Sequence, residues 1–436
     1  MFVSVQDLAL MLKRCFLIGL LLSSALVDVL GNINAAGVIS VNGLFTILIT
    51  IGVAVFLLRR PKLAWRGFMR VWPLSALLFY SVLQCLWHPP SVQGFQNICL
   101  LWIFIGCVVL ASIEEKNQLE STHVVRVLFW ASAIAALVYG ISILYDGLGT
   151  ESLIGARSFA LYALLALGLL LGRWAHGSRA DFWLAAGLIV LIALSLSRTA
   201  LAVGVFLFPL ARLRHISFRD LRRIAIIGVI AASGLYFLVV SIDALRLRFL
   251  GNGSIADYLS GEASVDTSGR LAAWVLTLNS FSESPWLGKG PGTANDLNGM
   301  ADLDRRGDSQ WELAHPLNEY LRFLHDEGVL GLSLFLAGCV QLLAVCRKEY
   351  RQSVEASSPA ASFYLGTFLA LLAVLLTMLT DNTASYIYVM APLGILIGTV
   401  LRAQKQSGPE MTTRQTRVSG AAQLTSPAAL SPRSQT

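Results

Sequence analysis

His315-Pro-Leu-Asn-Glu-Tyr-Leu-Arg-Phe-Leu-His-Asp-Glu-Gly-Val-Leu-Gly331 closes a long polar segment and runs straight into an apolar stretch. A dense polar cluster at the edge of a hydrophobic span places chemistry at a membrane surface. The rest of the chain has the same character. Its 436 residues are 56% hydrophobic and only 14% charged, with mean hydropathy +0.67. The apolar runs recur at the roughly 20 residues needed to cross a bilayer core of about 30 Å. An all-α, polytopic membrane helix bundle is predicted, spanning residues 1–403.

Twelve candidate spans fall near 15–31, 38–58, 72–87, 95–112, 125–145, 158–173, 182–196, 199–212, 224–241, 328–345, 361–379 and 386–401. The apolar block from Phe182 to Leu213 is too long for one span, and Ser195-Leu-Ser-Arg-Thr199 in its middle predicts a tight re-entry between two helices. An arginine facing lipid there would be costly. The first span follows Lys13-Arg14 in the manner of a signal peptide. With no small-residue cleavage pattern after it and eleven more spans to follow, it reads as an uncleaved helix.

Basic residues orient the bundle, because short cytoplasmic loops retain Lys and Arg. With both termini inside, 24 of the 33 Lys and Arg fall on the cytoplasmic side. The formal charge of +7 is therefore a topological signal rather than a nucleic-acid one. The six cysteines lie in or beside the spans without a CxxC pair, so neither a disulfide framework nor a zinc site is expected.

One long connection, 243–316, is rich in Gly, Ser, Asp and Asn and falls on the outer, periplasmic side. Long loops of this kind are usually functional or disordered. Within it Leu271, Trp274, Leu278 and Phe281 share one helical stripe, which predicts an amphipathic helix resting on the membrane or the bundle. Gly288-Lys-Gly290 lacks the spacing of a phosphate-binding loop. The tail, 404–436, is Ser-, Thr-, Gln- and Pro-rich and is expected to be disordered in the cytosol.

Extracytoplasmic arginine has no topological reason to be there. Arg157 opens the sixth span, Arg198 sits between the seventh and eighth, and Arg270 opens the loop helix, so the three are placed to cradle an anion at headgroup level. Lipid-headgroup pairing or helix bracing is the alternative for each. Pro316 is suited to a first helical position, with Leu317, Tyr320, Leu321 and Leu324 on a buried face and His315, Asn318, Glu319 and Arg322 on the other. His315 has the intrinsic basicity of a general base, or it caps the helix. Glu319 orients an acceptor or simply pairs with Arg322 at i, i+3. Gly328 and Gly331 permit close helix approach. Asp381, in the connection between the last two spans, is placed to reach the arginines or to cap a helix.

These residues resemble the O-antigen ligase and O-antigen (exopolysaccharide) polymerase family of bacterial envelope enzymes. The resemblance rests on Ser195-Leu-Ser-Arg-Thr-Ala200, Gly269-Arg270 with Trp274, Pro285-Trp-Leu-Gly288, Asn318-Glu-Tyr-Leu through Glu327-Gly328 and Gly331, and Thr380-Asp-Asn382. It covers about 157–401. It implies a GT-C-like membrane glycosyltransferase of the bacterial inner membrane that needs neither metal nor cofactor. Such an enzyme acts periplasmically on glycans carried by undecaprenyl diphosphate, as donor and acceptor, with a chain-length regulator as a candidate partner. On that basis Arg198 and Arg270 would hold the donor diphosphate and His315 would be the base. The family places a histidine directly before the Asn-Glu-Tyr run, and here that position is Leu317.

The expected activity is polymerisation of lipid-linked repeat units. Arg157, Arg198, Arg270, Asn318, Arg322 and Asp381 would bind substrate, and His315, Glu319 and Arg270 would act in catalysis. The rival readings are a ligase that passes glycan to lipid A-core and a transporter or flippase for a lipid-linked sugar. Transport is disfavoured because the spans are nearly free of charge and no pair of broken helices recurs in matching halves.

Overall fold

A computed structural model describes residues 5–24, 34–35, 39–113, 120–149, 153–212, 270–298 and 316–406. The candidate span 224–241, His315 and the tail beyond residue 406 lie outside the described residues. In chain order the helices are α1 (Val5–Ser24), α2 (Val41–Leu58), α3 (Pro61–Arg70), α4 (Trp72–Gln84), α5 (Val92–Ser112), α6 (Ser121–Asp146) and α7 (Ala156–Ala175). They continue with α8 (Arg179–Leu194), α9 (Arg198–Ala211), α10 (Arg270–Phe281), α11 (Glu319–Glu355), α12 (Ala361–Thr377) and α13 (Ile387–Gln406). A two-residue antiparallel pairing joins Asn34–Ala35 to Ile39–Ser40.

Eleven of the twelve candidate spans overlap helices; the first does so only over 15–24, because α1 starts at Val5 and holds Lys13 and Arg14 within it. By length and composition α5, α6, α7 and α11 suffice to cross a membrane among the described residues, while α9, α12 and α13 are shorter apolar helices. The basic segment between the second and third spans, expected to be a loop, is the helix α3. It turns 110° from α2 and buries Ala64 and Gly67 while Trp65 stays exposed.

Local chemistry sets several boundaries. The Ser91 hydroxyl caps α5 by accepting from the Gly94 amide at 3.2 Å. The chain leaves α6 through Gly147, at φ 89°. The re-entry predicted at 195–199 is a turn between α8 and α9, with Leu196 held at φ 59°.

Two close crossings organise the bundle. In α7, Gly168 and Gly172 face Gly366 of α12, where a Cβ on Gly172 would come within 2.4 Å of the Ser362 carbonyl. In α13, Gly394 and Gly398 pack on the α5 backbone, and a Cβ on Gly398 would meet the Val108 carbonyl at 2.3 Å. Both pairs have small-xxx-small spacing, which lets backbones touch where apolar burial alone gives no drive to associate in lipid. The α7–α12 pair carries the connection from α12 to α13 up beside the first turn of α7.

Candidate active site

The connection 378–386 between α12 and α13 is the hub of the site. Asp381 is buried and its Oδ1 accepts from the Asn382 amide at 2.8 Å. Arg157, in the first turn of α7, brings its Nε to 3.6 Å from Asp381 Oδ2, and Arg270, the first residue of α10, acts on the same carboxylate. The Thr199 and Thr380 hydroxyls hydrogen-bond at 2.7 Å, which ties the start of α9, where Arg198 is the first residue, to this connection. The Tyr386 hydroxyl donates to Asn382 Oδ1 at 2.9 Å and bonds Arg157. Tyr388, stacked on Tyr386 at 5.1 Å between ring centroids, donates to the Ser158 hydroxyl at 2.7 Å.

Two guanidinium groups, of Arg157 and Arg270, act on the Asp381 carboxylate, and Arg198 stands one residue from the Thr199 contact. Burial pushes the Asp381 carboxyl above its ordinary value, against the opposing pull of Arg157, the Asn382 amide and Arg270. The surplus of positive charge is what an anion with two or more charges requires, and the planar forks of arginine suit phosphate oxygens.

α11 approaches this hub from the other side. Helix begins at Glu319, three residues later than Pro316 predicts, because Asn318 is the cap: its Oδ1 accepts from the Leu321 amide at 3.1 Å. Leu317 stands before it at φ 49°, a left-handed conformation that costs a non-glycine residue energy. The Glu319 amide donates to the Met378 carbonyl at 2.9 Å, its Oε1 accepts from the Ser385 hydroxyl at 3.3 Å, and its Oε2 accepts from Arg322 Nε.

Leu317 is buried as expected and Asn318 is half-exposed, but from Glu319 onward the expected polarity is reversed. Glu319, Arg322, His325, Asp326 and Glu327 are buried, whereas Tyr320, Leu321 and Leu324 are half-exposed. In a bilayer, ionisable groups turn to the protein interior and apolar ones to lipid. Arg322 sits between Glu319 and Asp326, whose Oδ2 is 3.9 Å from its Nη1, with its Cζ 4.4 Å from the centroid of the Phe323 ring.

A second element is strapped to α11 where the helix kinks. Gly328 takes φ 69° and ψ −171° and lies against Gly288, at φ 77°. A Cβ on either would fall 2.3–2.4 Å from a backbone oxygen of the other strand. The Lys289 and Gly290 amides donate to the His325 and Asp326 carbonyls, and the Val329 amide donates to Pro285. The Asp326 carboxylate accepts from the amides of Gly292 at 2.9 Å and Ala294 at 2.8 Å, capping the helical turn at 293–298. His325 places Nδ1 3.2 Å from Asp326 Oδ1 and Nε2 3.0 Å from the Ser280 hydroxyl.

α10 is the helix predicted inside the long loop, with a different buried face. Ala273 and Thr277 are buried and Leu278 is exposed, because α10 packs on α11 and Thr277 accepts from Asn298 Nδ2 at 3.1 Å. Trp274 Nε1 donates to the Pro316 carbonyl at 2.8 Å.

Of the sequence candidates, Arg157, Arg270 and Asp381 meet at the hub, and Arg198 stands at the start of α9, next to the Thr199 contact with Thr380. Glu319 and Arg322 pair beside the hub, and Asn318 serves as the cap. Asp326 and His325 are not among those candidates; their signal in the sequence is the His-Asp-Glu run in an otherwise apolar helix.

Residues 182–336 match the family model described as O-antigen ligase. No curated protein matches the chain. The matched stretch runs from α8 into α11 and contains Arg198, Arg270, Asn318, Glu319 and Arg322. The resemblance read in the sequence agrees with this match over residues 182–336, a stretch that lies among apolar helices.

Proposed function

We propose that the chain polymerises undecaprenyl-diphosphate-linked repeat units into a surface polysaccharide, working on the periplasmic side of a twelve-span bundle with both termini in the cytosol. The observation that carries this is the approach of Arg157 and Arg270, each at the start of a different helix, to the buried carboxylate of Asp381, with the start of α9 and its Arg198 tied to the same connection through Thr199. In the proposed step, a hydroxyl on the incoming lipid-linked unit attacks the anomeric carbon of the growing glycan. The bond to the diphosphate breaks, the arginines stabilise the charge left on it, and the hydroxyl proton passes to a base, His315 or Glu319. Fixed donors aimed at developing charge are worth about 3–4 kcal/mol each in comparable sites.

Leu317, where the family places its histidine, favours polymerase over ligase. The test is the lipid-linked glycan profile of a deletion strain complemented with wild type, Arg198→Ala, Arg270→Ala or His315→Ala. Single repeats that accumulate and are cleared only by wild type support the polymerase. Long lipid-linked polymer that never reaches lipid A would mark a ligase instead. An unchanged profile would overturn both and return the question to transport.

A further inference from the structure

Away from the hub, α6, α7 and α8 enclose a cavity of about 1100 Å³ that ends against the first turn of α12. Arg173 stands at its mouth in the last turn of α7. It lies sixteen residues from Arg157, about 24 Å along the helix axis. The cavity is therefore at the opposite end of the bundle and is separate from the arginine–aspartate site.

Its walls are apolar, with Phe129, Leu169 and Leu188 among them, and its mouth carries Ser121, Arg126 and Arg173. On α6 the lining reaches from Ser121 to Ala136, about 22 Å, longer than the roughly 15 Å that one leaflet's chains fill. Arg173 is held in place by Asp181 at 3.0 Å and by the Phe129 ring, 5.4 Å from its Cζ. Arg126 is exposed on the facing helix. Arg179 at the start of α8 and Glu120 before α6 also carry charge at this end of the helices, outside the cavity lining. Glu120 is engaged by Thr122 at 3.3 Å and His123 at 3.8 Å.

A groove between membrane helices with a basic mouth is matched by an anionic headgroup above acyl chains. We propose that this groove is a binding site for an anionic phospholipid, with its phosphate between Arg126 and Arg173 and its chains along Phe129, Leu169 and Leu188. The site is independent of the glycosyl-transfer reading.

Native mass spectrometry of the purified full chain, delipidated and titrated with phosphatidylglycerol or with phosphatidylcholine of the same chains, tests it. Phosphatidylglycerol is expected to bind at least about fivefold more tightly, and Arg126→Gln should lose about fivefold for it alone. Gly187 lines the groove, and a Cβ there meets nothing within 4 Å, so Gly187→Phe should fill the space and weaken both lipids while leaving the melting temperature unchanged. Equal binding of the two lipids would overturn the proposal, as would Arg126→Gln with undiminished preference, a measurement that stands even if Gly187→Phe misfolds. Displacement of phosphatidylglycerol by equimolar polyprenyl phosphate would also overturn it, by assigning the groove to the substrate's tail.

Discussion

Thr199 and Thr380 share a hydrogen bond of 2.7 Å between hydroxyls 181 residues apart in the chain. Each adjoins a residue of the hub, Arg198 on one side and Asp381 on the other, so this contact sets the register between α9 and the connection 378–386. Thr199→Val and Thr380→Val should each cost about 1 kcal/mol of stability, with a double variant no worse than either single one. Thermal unfolding of the three variants checks this. Additive losses would mean that the two hydroxyls do not act on each other.

Arg270→Lys keeps the charge beside Asp381 and loses the planar fork. If the guanidinium grips a diphosphate, Lys should lower polymerisation by at least about tenfold and Ala by about 10²–10³-fold. Equal activity of the Lys variant in a membrane assay with lipid-linked substrate would show that charge alone suffices.

The buried Asp381 carboxyl titrates above its ordinary value of 3.8, so the folded protein holds its proton to higher pH than the unfolded chain does. Its contribution to stability is complete below about pH 4 and is lost as pH rises through the native pKa. Relative to Asp381→Asn, which cannot ionise, wild type should lose melting temperature over that window. A gain instead would mean that Arg157 and Arg270 outweigh burial.

Gly328→Ala and Gly288→Ala place a methyl group 2.3–2.4 Å from backbone oxygen at positions of positive φ. Neither backbone can retreat, because hydrogen bonds on both sides of the contact hold it. Each variant should fall several kcal/mol short of wild-type stability and lose activity through detachment of the 285–298 strap. Limited proteolysis should cut there first; resistance equal to wild type would refute the strap.

Arg322→Ala leaves Glu319 and Asp326 buried without their shared cation, which costs about 3–5 kcal/mol. Arg322→Ala with Glu319→Gln should recover part of that loss. Activity that returns along with stability would mark the pair as a brace, whereas activity that stays absent would keep Glu319 as a candidate base.

Helix positions were legible because a bilayer demands a fixed length of apolar residues, and the arginines were legible because their side of the membrane gives them no topological reason to exist. The approach of Asp381 to them could be read from its place at the same face. The inward polarity of α11 could not be read from periodicity, which marks two faces without saying which is buried. In a soluble helix Leu321 and Leu324 would turn inside and Glu319 outside. The Gly168–Gly172–Gly366 crossing escaped for another reason: close backbone contact depends on which helices are neighbours, and that is a property of the fold. Asp326 escaped because its partners, the amides of Gly292 and Ala294, carry no side-chain signal.

Arg157, Arg198, Arg270 and Glu319 all occupy the first turn of a helix. The positive ends of four helix macrodipoles, each equivalent to about half an elementary charge, therefore converge on the connection that carries Asp381. Part of the field at the hub belongs to the backbone and cannot be removed by replacing side chains. A chain stripped of one arginine should still attract an anion to this end of the bundle, while losing the geometry that lets a leaving group depart.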